Sequence, residues 1–114
     1  MSLAALLAIL SLSGAQAASG QQPSYDEAVR CTGLTQATSE LEGGESREGR
    51  SLYDAALYWS LTAIQAASRV GRTPTVAEGD QTRARIRAVR ELSADDDDAR
   101  TELQRCRARA PRLN

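Results

Sequence analysis

The sequence predicts an all-α protein: a small three- to four-helix bundle with one disulfide, a central helix at about 50–70, and a cleavable signal peptide in front. Three observations carry this expectation. From position 24 onward apolar residues recur at spacings of three and four, the period of helices with one buried face. These stretches are separated by helix-stopping signals at Gly43-Gly44, at Gly71 with Pro74, and at Ser93 to Asp98. Finally, the chain's 2 cysteines, Cys31 and Cys106, each fall on the inner stripe of a predicted helix.

The first element is the leader. Leu3 to Leu12 reads LAALLAILSL, a run of a length that suits a signal-peptide core and is too short to span a bilayer. Ser11, Ser13 and Gly14 break the run before Ala15-Gln16-Ala17. Small residues at 15 and 17 suit a signal peptidase, so cleavage is expected after Ala17, giving a signal peptide over 1–17. No Lys or Arg precedes the apolar run, which leaves only the α-amino group to supply positive charge there. No cysteine follows it closely, so a lipid anchor is not expected. Residues 18–23 (ASGQQP) read as a polar, flexible arm, and 24–114 as the disulfide-stapled domain.

Helix one is expected from about Tyr25 to Glu42. Ser24 and Glu27 form a capping box at its start. Cys31, Leu34, Thr38 and Leu41 make its inner face, Gly33 is a mild weakness, and Gly43-Gly44 stops it.

Helix two begins between Ser46 and Ser51 and runs to Val70. Its middle, LYDAALYWSLTAIQAA, is the most apolar part of the chain beyond the leader. On a helical wheel Asp54, Tyr58, Thr62, Gln65 and Arg69 form one narrow polar stripe, and Trp59 falls on the apolar side. A helix apolar round most of its circumference is expected to be surrounded by others, hence its predicted central place. Gly71 ends it.

Helix three is expected from about Val76 to Leu92, with Thr75 and Glu78 as a capping pair. Ala84, Ala88, Val89 and Leu92 supply its core face, with Ile86 at the margin. Arg83, Arg87 and Arg90 share another face. Helix four is expected from about Ala94 to Ala110. Ser93 with Asp96 resembles a capping box, and the acids after it suit the positive end of a helix dipole. Ala99, Leu103, Cys106 and Ala110 form its inner stripe. Arg105, Arg107 and Arg109 occupy its last turns, and Pro111 stops it. One long kinked helix in place of helices three and four is the alternative.

Composition narrows the function. After cleavage roughly 97 residues remain, enough for one small domain. Phe is absent, with 1 Trp and 3 Tyr, so Ala must fill much of a thin core. A bridge between Cys31 and Cys106 closes a loop of about 75 residues. By chain entropy that is worth about 4.5 kcal/mol, a large share of what a thin core can supply. With no C-x-x-C pair, a redox role is not favoured. Lys and His are absent, so all 14 basic residues are Arg. Arg-only, Ala-rich usage suggests a GC-rich Gram-negative bacterium. The expected location is periplasmic or secreted, with no membrane span in the mature chain. A formal net charge of −1 and few aromatics argue against nucleic acid.

Without histidine there is no Ser-His or Cys-His nucleophile and no His metal ligand. Phosphate-cradling and dinucleotide fingerprints are also missing. Four consecutive Asp on a helix point about 100° apart and do not converge on one cation, so Asp95 to Asp98 read as a cap. No cofactor or metal is expected.

The leading expectation is a non-catalytic exported helical protein that binds a cell-envelope partner. Its candidate surface is Tyr58, Asp54, Arg83, Arg87 and Arg90. Tyr58 is singled out because aromatics on polar faces are enriched at binding surfaces. The plainer reading of Tyr58 is a buried ring with a wet hydroxyl, and of the arginines a solvated face paired with Asp80 and Glu91. The alternative function is a periplasmic stress holdase or small-ligand carrier that opens at low pH. An enzyme using carboxylates such as Asp26, Glu27 and Asp54 ranks last.

Overall fold

The computed structural model describes residues 22–111. The expected leader, the first part of the expected arm, and residues 112–114 of the expected stapled domain lie outside the described residues. Among the described residues there are four α-helices and no strand: α1 Tyr25–Glu42, α2 Arg47–Arg69, α3 Pro74–Ser93 and α4 Asp97–Arg109.

Each boundary has a local cause. The Ser24 hydroxyl accepts the Glu27 N–H at 3.0 Å and starts α1. Gly43 stops it with a φ of 93°, while its N–H reaches the Ser39 and Glu40 carbonyls. The α1–α2 turn is tight. Ser46 caps α2 by accepting the Gly49 N–H at 2.9 Å, and the buried Ser39 hydroxyl donates to the Gly49 carbonyl at 2.8 Å. A Cβ at Gly49 would overlap the Gly43 carbonyl oxygen, so only glycine fits there.

Two starts differ from expectation. Helix α3 is capped by Thr73, whose hydroxyl accepts the Val76 N–H, and not by Thr75. Pro74 is its first residue, where a missing N–H costs nothing. Helices α3 and α4 are separate. Ala94 and Asp95 form the break, with Asp95 at φ 59°, a left-handed conformation that short Asp side chains tolerate. Asp96 then caps α4 by accepting the Ala99 N–H at 2.9 Å.

The central helix is α1, the most extensive neighbour of each of the other three, and not the stretch at about 50–70. Hydrophobic patterning misses this because α1 packs through small and hydroxylated residues. Ala28, Gly33, Thr32, Thr35, Ala37 and Ser39 are all buried. Thr32 and Thr35 donate to the carbonyls of Ala28 (2.8 Å) and Cys31 (2.7 Å). Their hydroxyls therefore enter the interior already paired. At Gly33 the α3 backbone comes so close that an added Cβ would lie 2.5 Å from the Ala84 carbonyl carbon. Gly33 is thus a requirement of the α1–α3 crossing and not a weakness.

The main core holds Leu34, Leu52, Trp59, Leu103 and several alanines around the Cys31–Cys106 disulfide, whose Cα atoms are 5.4 Å apart. Trp59 is fully buried and donates its indole N–H to the Cys106 carbonyl at 3.0 Å. A smaller cluster of Tyr25, Ala66, Ala67 and Ala77 closes the end where α2 passes into α3. Leu41, expected on the inner face of α1, is exposed.

Candidate functional site

The sequence makes α2 apolar over a wide arc, but the bundle covers only part of it. Leu52, Ala56, Trp59, Ala63, Ala66 and Ala67 are buried. Beside them Tyr53, Leu57 and Leu61, one turn apart, form a ridge that is 56%, 45% and 62% exposed. This ridge was not among the expected site residues. The signal for it lay in the width of the apolar arc, which exceeds what two or three neighbours can cover.

Tyr53 and Leu57 of the ridge wall a groove of about 380 Å³ between α1 and α2. Tyr53, Ala56 and Leu57 line its apolar side. Thr32, Gln36, Ser39 and Ser60 supply polar groups along its floor. Glu40 stands at the edge, held by Arg85 of α3 at 3.4 Å. Behind the groove, Ser60 donates to the Gln81 side-chain Oε1 at 2.9 Å, and the buried Gln81 Nε2 has no partner among the described residues. An apolar wall facing a hydroxyl- and amide-bearing floor accepts an amphipathic segment, and the volume falls in the range of ordinary ligand sites.

A second concavity, about 280 Å³, lies between α1, α3 and the turn before α3. Tyr25, Asp26, Arg30, Arg72, Asp80 and Arg87 are among the residues lining it. Here charges neutralise one another. Tyr25 donates to Asp80 at 2.6 Å, Arg83 also pairs with Asp80, and Arg72 lies over the Tyr25 ring, 4.9 Å from its centroid. Hydrogen bonds from Tyr25 and then Arg83 hold the Asp80 carboxyl below its ordinary pKa. Burial, reinforced by the Asp80 hydrogen bond, pushes the Tyr25 phenol up to about 12. A phenol so far from ionisation at neutral pH is a poor general base.

The residues singled out from sequence lie on two helices, Asp54 and Tyr58 on α2 and Arg83, Arg87 and Arg90 on α3. Tyr58 is half-buried on α2, its ring edge-on to Trp59 at 5.1 Å and packed against the main core. Asp54 is exposed on the same helix. Arg87 lines the charged concavity and binds Glu91 at 2.9 Å, while Arg83 is engaged by Asp80. Arg90 is exposed, with no ion-pair partner among the described residues. No hydrogen bond or ion pair among the described residues links Tyr58 or Asp54 to these arginines.

Arg30 was missed altogether, although it lies four residues before Leu34 on a core-facing row. A charged residue at such a position has to find buried partners, and Arg30 finds Glu91 and Glu102. Among the described residues no cluster of His, Cys, Asp or Glu is arranged to hold a metal ion, and no helix is long and apolar enough to cross a membrane. None of the protein-family models, curated proteins or solved structures compared with the chain matches it.

Proposed function

We propose that this is a non-catalytic exported protein that binds another protein of the cell envelope through the α1–α2 groove. The observation that carries the reading is the uncovered ridge of Tyr53, Leu57 and Leu61 beside a polar floor. The binding surface therefore moves from Tyr58 and the α3 arginines to the neighbouring face of α2. The occupant favoured is an amphipathic helix of a different protein, laid in the groove with its apolar side on the ridge. A symmetric dimer through the ridge alone is less well supported. Three partly exposed side chains offer far less than the roughly 800 Å² per partner that stable interfaces bury. Export is supported by the apolar leader and by the Cys31–Cys106 bridge, which persists in oxidising compartments.

The test places a photocrosslinking residue at Leu57 or Leu61, with Arg90 as control, in protein exposed to envelope extract of its source. A discrete adduct at 57 and 61, absent at 90 and lost in a folded Tyr53→Asp variant, is the expected result. Equal labelling at all three positions, or none, would overturn the reading.

The second reading, a holdase that opens in acid, is favoured by a different observation. The outer helices are held by Arg–carboxylate pairs over a core rich in alanine.

A further inference from the structure

The Arg30 side chain is 16% exposed, against 31% to 72% for the other paired arginines. It projects from α1 between α3 and α4. Its Nη1 donates to Glu91 of α3 at 2.7 Å, and its Nη2 to Glu102 of α4 at 2.6 Å. Its Nε also reaches the Glu102 oxygen at 3.3 Å. The other Glu91 oxygen accepts from Arg87 at 2.9 Å. One enclosed cation thus holds two helices by their carboxylates.

We propose that this clamp is an acid-operated latch: protonation of Glu91 and Glu102 releases α3 from α1, while the Cys31–Cys106 bond keeps α4 attached. The chemistry is one-sided. Carboxylates lose their charge in acid, but a guanidinium does not, so Arg30 is left enclosed and unbalanced. Opening returns it to water.

The surroundings push the same way. On α1, Asp26 and Glu27 lie one turn before Arg30, and Glu27 is engaged by Arg109 of α4. On α3, Arg87 stands beside Glu91, and Asp80 with Arg83 lies along the same concavity, facing Arg72 of the preceding turn. Acid neutralises the three carboxylates of this set beyond the clamp's own two, Asp26, Glu27 and Asp80, and leaves every arginine charged.

Helix α3 is the element expected to leave. Its other polar ties to α1 also end on carboxylates: Tyr25 to Asp80 at 2.6 Å and Arg85 to Glu40 at 3.4 Å. Its buried residues are Ala77, Gln81 and Ala88, and Val89 and Leu92 pack part-buried against the main core, so only a modest apolar area holds it once those ties are gone. Burial alone would raise the Glu91 carboxyl, but hydrogen bonds from Arg30 and Arg87 outweigh it and hold it below its ordinary pKa. A folded value below the unfolded one means stability that is present above about pH 4.5 and is lost as pH falls through the folded value. The latch deepens the holdase reading and is independent of partner binding at the α2 ridge. Loss of the crosslink at Leu57 would leave it standing.

Pulse-labelling hydrogen exchange read by mass spectrometry at stepped pH tests it. In the wild type, residues 74–93 should lose protection between about pH 4.5 and 3 while residues 25–42 and 47–69 stay protected. The uncharged variant Arg30→Met/Glu91→Gln/Glu102→Gln should move that midpoint down by at least about half a pH unit. Arg30→Met alone should abolish the loss between about pH 4.5 and 3, because carboxylates without their cation gain from protonation. The proposal fails if α3 stays protected to about pH 3. It fails equally if all helices open together at one pH in wild type and in both variants.

Discussion

Replacing Gly33 by alanine adds one methyl where two helix backbones meet. Its Cβ would lie 2.5 Å from the Ala84 carbonyl carbon, 2.6 Å from the oxygen and 2.8 Å from the Ala84 Cβ. Carbon atoms rest at roughly 3.5–4.0 Å, so α1 and α3 must separate by about 1 Å. The obstacle is backbone and cannot rotate away. Overpacking of this kind costs about 1–3 kcal/mol, and alanine's better helix propensity offsets up to about 1 kcal/mol. A net loss of about 1–2 kcal/mol should lower Tm by roughly 5–15 °C in a domain of this size. Gly79→Ala is the control. It lies half-buried on α3, and its Cβ would meet only the flexible Arg83 guanidinium at 3.6 Å. There the propensity gain stands alone, and Tm should rise by a few degrees. Thermal melts followed by circular dichroism suffice. A Gly33→Ala protein as stable as wild type would refute the close crossing and the central place of α1.

Cys31→Ser should cost about 2–5 kcal/mol, and reduced wild type should melt with it; equal melting with and without reductant would show that the bridge does not stabilise the fold. Ultraviolet titration should find one tyrosine ionising near pH 12, with the late component missing in Tyr25→Phe. Because the folded phenol is raised, its contribution to stability is complete below about pH 10 and disappears as pH climbs towards 12, which alkaline melts can follow. Ser39→Ala should lower stability by about 0.5–1.5 kcal/mol by removing the bond from its buried hydroxyl to the Gly49 carbonyl, which joins α1 to the start of α2; denaturant unfolding of the variant checks this.

Much of the fold was legible because capping and stopping signals are local. Ser24, Gly43 and the Ser46 region bound α1 and α2 where the residues say they should. The disulfide followed from two inner stripes, Cys31 with Leu34 and Leu103 with Cys106, that had to face a common interior. The packing order was not legible. Helix α2 has the stronger apolar signature, yet α1 is central because Gly33, Thr32 and Thr35 let neighbours approach its backbone. Hydrophobicity scales score hydroxyls as polar, whereas a hydroxyl bonded to its own helix behaves as a small core group. The exposed ridge of α2 was not legible for a related reason. Tyr58 stands on a polar stripe but packs on Trp59, whereas Tyr53, Leu57 and Leu61 read as core and lie open. Which part of a wide apolar arc stays uncovered depends on where the other helices lie, and only the tertiary arrangement decides that.

The bond between Cys31 and Cys106 turns the chain between them into a covalent ring that contains all of α2 and α3. A single proteolytic cut at any of the three interhelical turns therefore opens the ring without detaching a fragment. Nicked molecules keep the mass of the uncut chain plus one water until a reductant is added. The two pieces can re-form the bundle at the high effective concentration of a tethered pair, so the protein tolerates one scission that would dismember an unbridged bundle.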